Sequence, residues 1–86
     1  MTSDDPTELN ETLSWNATIF GRPVRVSIAR ETIEDYLGAE TTTPEERRKF
    51  VVHRRRVLDH CAAEALRNAP DASGIVLKLE DLPKFG

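Results

Sequence analysis

The stretch KFVVHRRRVLDHC, residues 49–61, gathers most of the side chains in this 86-residue chain that could do chemistry. It holds both histidines, His53 and His60, the single cysteine, Cys61, and the triplet Arg54-Arg55-Arg56. The histidines are two helical turns apart, about 10 Å along an axis, which is too far for one metal ion to bridge. No HxxxH or CxxC spacing accompanies them. Ser14 and Ser27 fall in strand-like runs with no base in a recognisable motif. The four glycines are scattered at turns rather than gathered into a phosphate loop. A domain this small also offers little volume for a pocket. No cofactor and no metal are expected, and the chain does not read as an enzyme.

The arginines need a helix to give them directions. Projected at about 100° per residue, Phe50, Val51, Val57, Leu58, Cys61, Ala62 and Ala65 form one apolar face. Arg55 and Arg56 project outside it, whereas Arg54 falls near its middle. A guanidinium cannot shed its proton, so Arg54 must be paired or must bend out to water along its stem. It is expected to be a buried or rim structural arginine, with Asp81, Glu80 or Asp35 as its partner. On this reading Arg54→Ala destabilises more than Arg55→Ala. Arg47 points the same way two turns earlier, but it lies near the helix start and is expected to reach solvent. Cys61 reads as a small buried hydrophobe.

The other side of the helix carries Lys49, His53, Arg56, His60 and Arg67 in a narrow band, with Glu64 at its edge. From Pro44 to Ala69 there are seven bases and four acids, while the whole chain has a net charge of -3. The domain is therefore polarised, and this helix is its positive side. The band is either a solvated face or a footprint for an anion, a nucleic acid or an acidic protein. It lacks the interleaved aromatics of a base-stacking platform, and the acidic total argues against a dedicated nucleic-acid binder.

Residues 1–12 are acidic, without an apolar period, and are expected to form a mobile tail. Leu13, Trp15, Ala17 and Ile19 then alternate with polar residues, as do Val24, Val26 and Ile28 after them, a pattern of two half-buried strands. A type II′ turn at Gly21-Arg22 would pair Ile19 with Val24, Ala17 with Val26 and Trp15 with Ile28, all on one face. Pro23, with no N–H, belongs beside the turn or on an edge. Glu31 to Leu37 reads as a short helix closed by Gly38, with Ile33, Tyr36 and Leu37 on one face. Thr43-Pro44-Glu45-Glu46 spells a capping box with proline at the first helical position, opening a helix that should run to about Asn68. Ile75, Leu77 and Leu79 point inward from a last strand that ends before Pro83.

The elements predict an α+β domain over residues 13–82, with a C-terminal tail at 83–86. Its two layers are a three-stranded antiparallel sheet, the hairpin plus the C-terminal strand, and one short and one long helix. Phe20 and Val76 would be exposed on the uncovered sheet face. One cysteine permits no internal disulfide, and no apolar run resembles a secretory signal or a membrane span. A cytoplasmic setting is expected.

From about Trp15 to Asp81 the chain resembles the small bacterial family catalogued as domain of unknown function 1488 (DUF1488). The resemblance is carried by the hairpin IFGRPVRVSI, the segment ARETIEDYLG, and the helix residues Phe50, His53, Arg54 and Val57, with Cys61 where the family has alanine. It implies a small α+β fold in the bacterial cytosol and no activity. Arg54 and His53 match the family's positions, whereas Arg55 and Arg56 do not. The chain is expected to be a small non-catalytic binding or accessory module. Its partner would be another protein or itself, as a dimer. The alternative is an anion or nucleic-acid binder using the basic band.

Overall fold

The computed structural model describes residues 6–83. Four strands form one mixed sheet in the order β1-β2-β3-β4: β1 Thr7–Leu9, β2 Thr12–Ile19, β3 Arg22–Ala29 and β4 Gly74–Leu77. Three helices lie on one face: α1 Arg30–Leu37, α2 Pro44–His53 and α3 Arg55–Arg67. A 3₁₀ turn, Leu79–Asp81, is the last element among the described residues and is capped by Asp81, whose carboxylate accepts the Lys78 N–H at 2.9 Å. The fold is thus α+β. It has one more strand and one more helix than expected, and the sheet is not wholly antiparallel.

The expected hairpin forms with its register shifted. Leu13 faces Ile28, Trp15 faces Val26, Ala17 faces Val24 and Ile19 faces Arg22. The turn residues are therefore Phe20 and Gly21, both at positive φ as a type I′ turn requires. Proline chemistry supplies the reason. A turn at Gly21-Arg22 would need the N–H of Pro23 to close it, and Pro23 has none. Moving the turn back by one puts Arg22 at that position. Thr18 then faces Pro23, and the proline nitrogen points away from β2, where β4 has not yet begun to pair. The register moved by two, so no side chain changed face. Leu13, Trp15, Ala17, Ile19, Val24, Val26 and Ile28 are all buried as expected.

The last strand pairs parallel to β3, with Val26 beside Ile75 and Ile28 beside Leu77. The long helical connection between the two strands is the crossover that a parallel neighbour needs. Ile75 and Leu77 point inward, but Leu79 lies in the 3₁₀ turn and is exposed; Leu82 takes the place expected for it in the core.

The stretch read as a mobile tail contains β1. Thr7 pairs with Ser14, Glu8 with Leu13 and Leu9 with Thr12 through a turn at Asn10-Glu11. Residues 1–5, and 84–86 of the expected C-terminal tail, lie outside the described residues. Because Glu8 is opposite the core residue Leu13, its carboxylate points under the helices.

The helical layer starts and stops where the sequence directs. Gly38 ends α1 at φ 71°, and its N–H returns to the Glu34 carbonyl. The Thr43 capping box is complete: Thr43 Oγ1 accepts the Glu46 N–H at 3.1 Å, and Glu46 accepts the Thr43 N–H at 2.8 Å. Two details depart from the projection. Leu37 is exposed, leaving Ile33 and the half-buried Tyr36 on the inner face of α1. The long helix also breaks at Arg54 (φ -112°, ψ 18°), whose N–H is shared between the carbonyls of Phe50 and Val51. No glycine or proline marks that break, so the apolar period ran through it unseen. The break re-aims α3 onto the sheet with Leu58, Cys61, Ala62 and Leu66 buried, while Val57 turns out to solvent.

Candidate functional site

Two groups of charged residues need to be told apart: the outer band on α2 and α3, and a network beneath β1.

The outer band is divided by the break at Arg54. Lys49 and His53 belong to α2, while Arg56, His60 and Arg67 belong to α3. All five are exposed. Lys49 lies 3.4 Å from Glu45, and Glu64 takes both His60 (3.9 Å) and Arg67 (3.6 Å). Three members of the band thus already face carboxylates one helical turn away. Pairs this exposed contribute at most about 1 kcal/mol, so they leave the side chains free to exchange partners.

The arginine triplet does not divide as the projection had it. Arg54 is half-buried at the rim, its guanidinium 4.7 Å from the centre of the Phe50 ring. Tyr36 meets the same ring edge-on at 5.8 Å. Among the described residues no ion pair joins Arg54 to Asp81, Glu80 or Asp35. An aromatic face stands where a carboxylate was expected. Arg55, expected to face outward, instead leans onto the sheet. It donates to the Asn16 carbonyl at 2.8 Å and to Asp59 at 3.2 Å, and covers the Trp15 indole at 5.5 Å. Asp59 also accepts the Trp15 indole N–H at 2.9 Å. Trp15 is therefore a core residue whose one polar atom is satisfied from α3.

The buried arginine is Arg47, at 4% exposure. Glu8 receives it in a fork: Nε donates to one carboxylate oxygen at 3.1 Å and an Nη to the other at 2.6 Å. The remaining Nη donates to the carbonyl and hydroxyl oxygens of Thr42. That hydroxyl donates to Glu34 at 3.1 Å, and the Thr42 N–H donates to the same carboxylate at 2.8 Å. Glu34 in turn lies 3.7 Å from Arg30, which donates to Glu11 at 2.6 Å. The backbone N–H of Arg30 donates to the Glu11 carbonyl. Acids and bases alternate from β1 through α1 and the following loop to α2. The hydrogen bond to Glu8 holds the Arg47 guanidinium above its ordinary pKa, against the opposing effect of burial; the negative charges of Glu8, Glu11 and Glu34 add to the rise. The network is a clasp: it joins β1 to the helical layer and uses its charges internally.

The missed strand and the misassigned arginine have one cause. In sequence Arg47 reads as solvent-bound from its place near the helix start, and Glu8 reads as one more acid of a polar tail. Pairing β1 with β2 supplies both the cover and the carboxylate. A signal was present in Asn10, a residue that tolerates the left-handed turn conformation, standing three residues before the alternating pattern begins at Leu13.

Shallow grooves flank the clasp. One of about 310 Å³ is lined by Pro6, Glu8, Leu13, Pro44, Glu45 and Arg48. Another of about 270 Å³ lies along Glu11, Ala29 and Arg30. Among the described residues no three histidine, cysteine or carboxylate side chains gather as a metal site. Cys61 is buried, and burial, reinforced by Asp81 and Glu64, pushes its thiol pKa up. Among the described residues no helix is long and apolar enough to cross a membrane. Comparison with known proteins returned no matching family model, no matching curated protein and no matching solved structure.

Proposed function

We propose that this chain is a small, non-catalytic, cytoplasmic module that works through protein contacts. The observation that supports this most directly is the face of the sheet that no helix covers. Thr7, Leu9, Thr12, Ser14, Asn16, Thr18, Arg25, Ser27, Ala29 and Val76 lie across it, mostly short side chains around the one charged residue Arg25, with a Ser14–Ser27 hydroxyl contact of 2.9 Å between β2 and β3. Exposed apolar side chains stand at its margins: Leu9 (73%) on one edge strand, Val76 (62%) on the other and Phe20 (63%) at the hairpin tip. A sheet face of short side chains with apolar margins suits a second protein surface better than it suits a small molecule.

The anion or nucleic-acid reading has less support, because the chain carries a net charge of -3 and the basic band has no interleaved aromatics. Likeness to domain of unknown function 1488 remains part of the proposal. The stacking of Arg54 on Phe50 gives that motif's F-x-x-x-R spacing a structural reason, and it adds no activity.

The test is a pair of titrations. Light scattering across micromolar to millimolar protein, with Leu9→Lys/Val76→Lys beside the native chain, should show association that the variant loses. Anisotropy of labelled DNA and RNA at about 50 and 200 mM salt should show no binding. Micromolar binding that weakens steeply with salt and is lost in Arg56→Glu/Arg67→Glu would replace the protein-contact reading with the nucleic-acid one.

A further inference from the structure

β1 is held to the domain in an unusual way. Its one large apolar residue, Leu9, is exposed, so hydrophobic burial contributes little to its attachment. What holds it is a three-pair ladder, the fork between Glu8 and buried Arg47, and the buried Pro6. None of these contacts depends on which chain supplies the strand. The connection to β2, by contrast, is strained. It has only two residues, Asn10 and Glu11, and both sit at positive φ (53° and 63°) without being glycine. Asparagine tolerates that conformation; glutamate does so poorly. The β2–β3 turn at least places Gly21 at one of its two positive-φ positions.

If β1 leaves, the eight-residue β2 becomes a bare edge, and the Arg47 guanidinium loses its carboxylate. The vacated position therefore demands an extended strand with a carboxylate opposite Leu13. A second copy of this chain carries that strand. Short hinges under strain favour such an exchange, because opening them relieves the strain while the β1–β2 ladder and the Glu8–Arg47 fork are re-formed between chains.

We propose that β1 is exchanged between two copies of the chain, so that Thr7–Leu9 of each pairs with β2 of the other and its Glu8 binds the other's Arg47. The inference rests on the protein-contact reading and names the partner as a second copy.

Thr7 and Ser14 are directly opposite in the ladder, at a spacing that a disulfide can span. A Thr7→Cys/Ser14→Cys variant in a Cys61→Ala background would be refolded across micromolar to millimolar protein, sized by light scattering, oxidised, and run on a denaturing non-reducing gel. Strand exchange predicts a dimer whose two chains stay covalently joined in denaturant. A dimer that falls into single chains, each closed on itself, overturns the exchange and leaves self-association to another surface. A monomer at every concentration also overturns it, and with it the self-association expected under the protein-contact reading. Asn10→Gly/Glu11→Gly, made with native cysteine content, provides a second readout. Glycine removes the strain from the closed hinge, so the dimer dissociation constant should rise at least about tenfold. An unchanged constant removes hinge strain as the driving force and overturns the proposal as argued.

Discussion

Arg47 and Arg67 carry the same group under opposite conditions. Arg47 is buried beneath β1, with its donors divided between Glu8 and Thr42. Arg67 lies open on α3, 3.6 Å from a Glu64 that it shares with His60. Where water is excluded, each hydrogen bond must be replaced by protein, so one arginine fixes the positions of a strand, a helix and a loop. Where water is present, the same charge orders very little. The structural importance of a charge here follows from what covers it, not from how many charges stand beside it in sequence.

The contrast should be steepest in stability. Arg47→Ala leaves Glu8 and Thr42 without their donors and should cost about 3–5 kcal/mol, read as a large fall in the urea midpoint. Arg67→Ala and Lys49→Ala should each stay within about 0.5 kcal/mol of the native chain in the same melts. Between these limits lies Asp59. Asp59→Ala leaves the buried Trp15 N–H unpaired and removes one of the partners of Arg55, at about 1–3 kcal/mol, with a change in tryptophan fluorescence. Arg55→Ala should then destabilise more than Arg54→Ala, the reverse of the order the helical projection gave. Thr43→Ala removes the capping box of α2 at about 1 kcal/mol.

The smallest effect concerns pH. The Cys61 thiol in the folded chain sits above its ordinary value of 9.0, so folding favours the protonated form. The associated stability is fully present below about pH 9 and is lost as pH rises through the folded value. Melts above and below that point should show a loss in the native chain that Cys61→Ala does not share.

Much of this was legible in the sequence. Period-two runs identified the inward faces of β2 and β3, Thr43-Pro44-Glu45-Glu46 fixed the start of α2, and Gly38 fixed the end of α1. The hairpin register was also within reach, since Pro23 cannot close a turn at Gly21-Arg22. What stayed hidden depended on pairing across the chain. β1 has no hydrophobic pattern because its inward residue is a glutamate, and that glutamate makes sense only against an arginine far along the chain. The break at Arg54 has no glycine or proline to announce it. Arg54 stands at the rim, as the projection had it, but against Phe50 rather than a carboxylate, and Arg55, just past the break, leans onto the sheet where a straight projection turned it outward.

The central claim is that Glu8 and Arg47 form one buried unit. The most direct test compares urea melts of Glu8→Ala, Arg47→Met and the double variant. Glu8→Ala alone strands a buried guanidinium and should be strongly destabilised. Adding Arg47→Met removes that charge while keeping most of its apolar stem, so the double variant should be more stable than Glu8→Ala. A double variant less stable than Glu8→Ala, by the full cost of Arg47→Met alone, would show two independent surface charges and contradict the clasp.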